Sequence, residues 1–89
     1  MNMKAKIIRT FQDKGALLAS ASVTFDDNFI VKNLRVINGT KGLFVAMPNF
    51  QSQDGRHIDT CFPLNPETRA EIHRVVLEAY EATEEDDSE

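Results

Sequence analysis

His57, Asp59 and Cys61 stand at i, i+2 and i+4, a spacing that brings three side chains to one face of a β-strand. An imidazole, a carboxylate and a thiol so placed have the chemistry to bind zinc or to form a Cys–His nucleophile pair. A structural zinc takes four ligands, however, and His73 is the only other histidine in the chain. The sequence reading is an ordinary strand face, with no metal, no cofactor and no small-molecule substrate. Gly39-Thr40-Lys41-Gly42 superficially suggests a phosphate loop. It lacks the longer Gly-to-Gly-Lys spacing and precedes an apolar strand, where a phosphate loop needs the start of a helix. Asp26-Asp27 has no partner carboxylate or nucleophile in reach of the sequence pattern. No catalytic residue is assigned, and the chain reads as non-enzymatic.

The remaining chemistry is charge. Residues 81–89 hold six of the fourteen acids and no Lys or Arg, which leaves a body of net +2 in a chain of net −4. Residues 1–53 alone carry +4. A mildly basic body beside an acidic end suits a phosphate backbone as partner, with the end as an electrostatic competitor or a solubilising tail. The candidate phosphate-binding cations are Lys32, Lys41, Arg56, Arg69 and Arg74, with Arg35 either beside them or held in a structural ion pair.

The elements that must carry these cations follow from periodicity and turn residues. Residues 3–11 alternate, with Met3, Ala5, Ile7 and Phe11 on one face. Residues 16–25 alternate with Leu17, Ala19, Ala21, Val23 and Phe25 inward and Ser20, Ser22 and Thr24 outward, the pattern of a half-wet antiparallel strand. Residues 29–37 form a third strand whose alternation places Lys32 and Arg35 on opposite sides of the sheet. Asn38-Gly39 and Gly42 then supply residues tolerant of positive φ for a reversal. Leu43–Met47 is apolar throughout, so both its faces should be covered, one by the chain's own helix and one by a second subunit. Leu43, Phe44, Val45, Met47 and Phe50 are the expected contacts of a homodimer.

Asn49–Arg56 reads as a loop or the tip of a long hairpin around Asp54-Gly55, returning through residues 57–62. Asn65-Pro66-Glu67 opens a helix with a side-chain cap, a proline in the first turn and an acid at the positive end of the dipole. Its apolar stripe is Ile72, Val75, Val76, Ala79 and Tyr80, and it should fray near residue 82. The expected organisation is one domain over residues 1–82 and a disordered acidic tail over 83–89. The fold class is α+β, an antiparallel meander of four to five strands followed by a C-terminal helix. No apolar run approaches the roughly 20 residues of a membrane span, and no signal peptide is recognisable. With a single cysteine, the expected location is the cytoplasm.

The string Gly42-Leu43-Phe44-Val45-Ala46-Met47-Pro48, preceded by Leu34-Arg35-Val36-Ile37 and followed by Asp54-Gly55, Asp59, Pro63, Asn65, Arg69 and Tyr80, resembles the bacterial SpoVG family. The similarity also takes in Gly15, Ala19, Ala21-Ser22, Thr24, Asp26, Phe29 and Val31. It implies a small dimeric α+β protein linked to septation, sporulation and control of gene expression, binding DNA and in some members RNA. The chain departs from the family at Asn49-Phe50-Gln51-Ser52, where relatives commonly read Ser-Lys-Arg-Thr, and at Ile58 and Phe62, where relatives commonly carry a basic residue and a His. Fewer phosphate contacts imply weaker nucleic-acid binding. The alternative is a protein-interaction module using Phe50, Phe62 and an exposed strand edge.

Overall fold

The computed structural model describes residues 1–87, with side chains to Thr83. Four strands, β1 (Met3–Thr10), β2 (Leu17–Phe25), β3 (Phe29–Gly39) and β4 (Gly42–Ala46), form an antiparallel meander in the order β1-β2-β3-β4. A separate hairpin follows, β5 (Asn49–Gln51) with β6 (His57–Asp59), and then α1 (Pro66–Asp87). The α+β meander with one C-terminal helix is therefore as expected. The helix begins as its sequence directs, with Asn65 Oδ1 accepting the Thr68 backbone N–H at 2.8 Å. It runs past the fraying point expected near residue 82 as far as Asp87. Good helix formers, Glu84 and Glu85, carry it on despite the unfavourable position of acids at the negative end of the dipole. Residues 88–89 of the expected tail lie outside the described residues.

One face of the meander packs on α1. Its rows run Ile7·Ala21·Leu34, Ala5·Val23·Val31 and Thr10·Ala19·Val36·Val45 across the strands. Ala19, Ala21, Val23 and Val36 are fully buried, and Ile72, Val76 and Tyr80 of the helix close over them. The small alanine side chains leave room for the helix to lie across the sheet, where it approaches β1 most closely. Val45 and Met47, expected above in a subunit interface, are buried in this core instead. They sit on the helix side of the apolar run, whereas Phe44 alternates to the other side and is 42% exposed.

Three bulges decide which residues face away from the helix. In β1, Ile7 pairs with Ala21 but Arg9 pairs with Ser20, so Ile8 is an extra residue and the alternation inverts beyond it. Phe11 therefore leaves the core face assigned to it by simple alternation. In β2, Leu17 pairs with Ile37 and Ala19 with Val36. Leu18 packs on the core in place of Leu17, which joins the outer row Leu17·Ile37·Phe44. In β3, Val31 and Leu34 both face the core although three positions apart, because Asn33 bulges with φ at +69°. Lys32 and Arg35 are thus on the same outer side, a correction of the opposite sides expected from strict period two.

The turns use positive φ sparingly. Asp26 and Asp27 both adopt it (φ 53° and 57°), giving the primed-turn geometry that suits two right-twisted strands. Asp26 also accepts the Asn2 N–H at 2.8 Å, and Asp27 pairs with Lys4 at 3.2 Å, so these acids are structural. At the β3–β4 reversal Gly42 has a positive φ and Asn38 does not. Gly39 is needed for another reason. A Cβ there would lie 2.9 Å from Phe44 Cε1, so the bare backbone is the seat of the Phe44 ring.

Candidate nucleic-acid interface

The outer face of the sheet collects the basic residues. Arg9, Ser20 and Arg35 form one row across three strands; Lys6 pairs with Ser22 and Lys4 with Thr24 on the rows beside it. Lys32 enters the same face through the Asn33 bulge. Five cations thus project from one side of β1–β3, between small hydroxyl side chains. Lys4 alone among them forms an ion pair with the described residues, and that pair is exposed and worth at most about 1 kcal/mol. Arg9 also stacks over the Phe11 ring, 5.5 Å from its centroid, which orients the guanidinium toward the outer surface.

The six cations proposed from sequence divide into three groups. Lys32 and Arg35 are on this face. Lys41 is exposed in the β3–β4 turn and Arg69 on the first turns of α1, neither ion-paired with the described residues. Arg56 and Arg74 are already neutralised. Arg56 Nε donates to Asp54 at 2.9 Å, while Arg74 lies between Glu71 and Glu78, bonding Glu78 at 2.7 Å. Those carboxylates hold the Arg74 guanidinium even more firmly protonated than usual, the Glu71 hydrogen bond first and then its charge. The hydrogen bond from Ser52 and those from Arg56 hold Asp54 below the usual carboxylate range. Lys6 and Arg9 went unrecognised as site residues because strand alternation by itself gives no reason to prefer them. The signal that unites them with Lys32 and Arg35 is the register.

The β5–β6 hairpin leaves the end of β4, held there by the Pro48 carbonyl, which accepts the Thr60 N–H at 2.8 Å and its hydroxyl at 3.1 Å. Its backbone does not pack on the four-stranded sheet. Between hairpin and sheet lies an open cleft of about 430 Å³. Phe50 and Ile58 pair across the hairpin and are both exposed. His57 lines this cleft, with Nδ1 3.3 Å from Asn49 Oδ1. Cys61 instead lines an apolar groove on the helix side, with Met47 and Ile72. The strand ends at Asp59, so the His57–Asp59–Cys61 face expected from spacing is broken up. Among the described residues no three His, Cys, Asp or Glu side chains are grouped to hold a metal ion.

His73 sits on α1 against β4, its Nε2 buried without a hydrogen-bond partner among the described residues. Burial, and after it the Arg69 charge, push its pKa below the ordinary histidine value, while the neighbouring Val45 carbonyl opposes the shift. The unfolded chain protonates near pH 6.5 and the folded chain at lower pH. Stability from this residue is therefore complete above about pH 6.5 and is lost as pH falls from there through the depressed folded value. Urea midpoints measured from about pH 7.5 down to 5.5 should fall, and His73→Gln should flatten that dependence.

Comparison with known proteins finds similarity over almost the whole chain. A family model, SpoVG, matches residues 1–82. A protein of Lachnospira eligens is 43% identical over 84 residues, covering 94% of this chain and 96% of its own. One from Staphylococcus saprophyticus is 45% identical, covering 88% of this chain and 77% of its own, and one from Bdellovibrio bacteriovorus is 46% identical, covering 89% and 74%. All three carry the name "Putative septation protein SpoVG", which speaks of septation and of no enzyme activity. With the match running from Met1 through the buried helix face to Ala82, the chain belongs to the SpoVG family.

Proposed function

We propose that the chain acts as a small homodimeric regulatory protein that binds DNA or RNA across the outer face of its sheet, in the septation processes named for its relatives. The observation that carries this reading is the convergence of Lys6, Arg9, Lys32 and Arg35, unpaired with the described acids, on one surface. The two subunits of a dimer would display that surface twice, and affinity would come from counterion release. Gel-shift titrations against single- and double-stranded DNA and RNA, repeated at several salt concentrations, test it. A logarithmic salt slope corresponding to several phosphate contacts is expected, and the absence of any salt-dependent shift would reject the reading. No helix among the described residues is long and apolar enough to cross a membrane; with one cysteine and a phosphate-binding face, a cytoplasmic location fits this role.

Exposed apolar side chains favour the second subunit. On the outer face the row Leu17·Ile37·Phe44 ends at β4, the last strand of the sheet, whose outer edge pairs with no other strand among the described residues and is the natural place for another strand to add. Phe44 is on the surface, so a charge there meets water in the monomer and is buried only in a dimer. Sedimentation at micromolar protein should give about twice the 10.0 kDa chain mass. Phe44→Asp should halve that mass with its helical circular dichroism retained. A protein-interaction role for Phe62 and Leu64, both strongly exposed beside the apolar groove, would be favoured by a stable dimer that shows no affinity for nucleic acid.

A further inference from the structure

We infer that the cleft between the β5–β6 hairpin and the sheet receives an unpaired nucleobase, so that the ligand of the outer face is a single-stranded nucleic acid; this rests on the nucleic-acid reading above. The cleft has the size of a small-molecule site, about 430 Å³ against the roughly 300–1,000 Å³ usual for such sites. Its walls combine two aromatic rings, Phe11 and Phe50, with the amides of Asn33, Asn49 and Gln51 and the guanidinium of Arg35. Among the described residues no carboxylate lines it.

Each element of that lining has a counterpart in a nucleotide. Aromatic rings stack on a base of any identity, because every base has a π-face. Phe50 is 51% exposed in a hairpin with nothing of its own to pack on. An amide offers a donor and an acceptor together, as does the Watson–Crick edge of a base. Asn49 is already committed, donating to the Met47 carbonyl at 3.1 Å and facing His57, so it shapes the wall. The Asn33 side chain makes no hydrogen bond with the described residues, and its left-handed backbone at the bulge presents it at the cleft. Gln51 uses only its NH2, toward the Gly55 carbonyl. Arg35 joins the cleft to the basic row Arg9·Ser20·Arg35, where the phosphates on either side of an inserted base would run. In a duplex both the stacking faces and the Watson–Crick edges are occupied, so neither Phe50 nor Asn33 has a target there.

The test uses the full chain with short ribo- and deoxyribo-oligonucleotides, single-stranded and as duplexes of the same sequence, followed by fluorescence anisotropy at several salt concentrations. A single strand carrying 2-aminopurine reports stacking directly. Expected are tighter binding of the single strands, a 2-aminopurine emission change on binding, and a roughly five- to hundredfold loss of single-strand affinity in Phe50→Ala with its salt slope kept. Asn33→Gly, which keeps the positive φ and removes the amide, should weaken single strands and leave duplexes unchanged. Salt-dependent binding with equal single- and double-strand affinity and silent 2-aminopurine would overturn the base site while leaving the phosphate-binding face intact. No salt-dependent binding to any of the oligonucleotides would reject both.

Discussion

Replacing Lys6, Arg9 and Lys32 together with alanine is expected to remove most of the affinity for nucleic acid. If each side chain neutralises one phosphate, the logarithmic salt slope should flatten by about 2.7 on duplex DNA and about 2.1 on single strands. Extrapolated from 1 M salt, the loss at about 0.1 M is then on the order of a hundredfold or more. The fold should be untouched, because the three side chains project from the outer face and have no ion-pair partner among the described residues. The contrasting variant is Arg56→Ala with Arg74→Ala. Both guanidiniums lie against carboxylates of their own neighbourhood, Asp54 in one case and Glu71 with Glu78 in the other. Neither guanidinium can contact a phosphate without giving up its carboxylate partner, so their removal should change affinity less than about threefold at the same salt. A larger loss from this double variant than from the triple one would place the interface on the helix and hairpin instead.

Asn33→Val is expected to damage folding and binding together. Asn33 adopts φ +69°, a region that costs roughly 1–2 kcal/mol for a residue with a Cβ, more for a β-branched one, and less for Asn. For a domain of this size each kcal/mol lowers the melting temperature by roughly 4–8 °C. A bulge that relaxes under this strain also changes the register that puts Lys32 beside Arg35, so salt-dependent binding should weaken as well. Asn33→Gly, at ease with positive φ, should melt within a few degrees of the parent. Thermal melts of the two variants decide the point: equal destabilisation would mean that the amide, and not the backbone, holds the bulge.

What the sequence made legible were the elements whose signals are local. The alternation of β2, the Asn65 cap, the helix stripe Ile72–Val76–Tyr80 and the hairpin around Asp54-Gly55 were all plain in residue type and spacing. The outer face was not, because it depends on where alternation is interrupted. Ile8, Leu18 and the Lys32–Asn33 pair look unexceptional one residue at a time, and only pairing with a neighbouring strand shows that each adds a step. A single added step inverts every later side chain on that strand. Strict alternation therefore divided Lys32 from Arg35 and put Phe11 and Leu17 in the core. The His57–Asp59–Cys61 pattern misled for a related reason: Thr60 turns to the Pro48 carbonyl and the strand stops before the cysteine. The partition of cations into paired and unpaired was likewise hidden, since it depends on rotamers and on which acids come near.

Tyr80 gives this molecule a spectroscopic property of its own. It is the one tyrosine of a chain without tryptophan, and it is 7% exposed where the helix closes on the sheet. All tyrosine emission from the native protein therefore originates on the helix side, on the reverse of the surface that carries Lys6, Arg9 and Arg35. An oligonucleotide lying on the basic side is separated from the phenol by the full thickness of the sheet. Lifting the helix hydrates that ring at once. One unlabelled chromophore thus reports loosening of the helix while leaving the opposite side free for an independent probe on the ligand, and the two events can be timed against each other in a single cuvette.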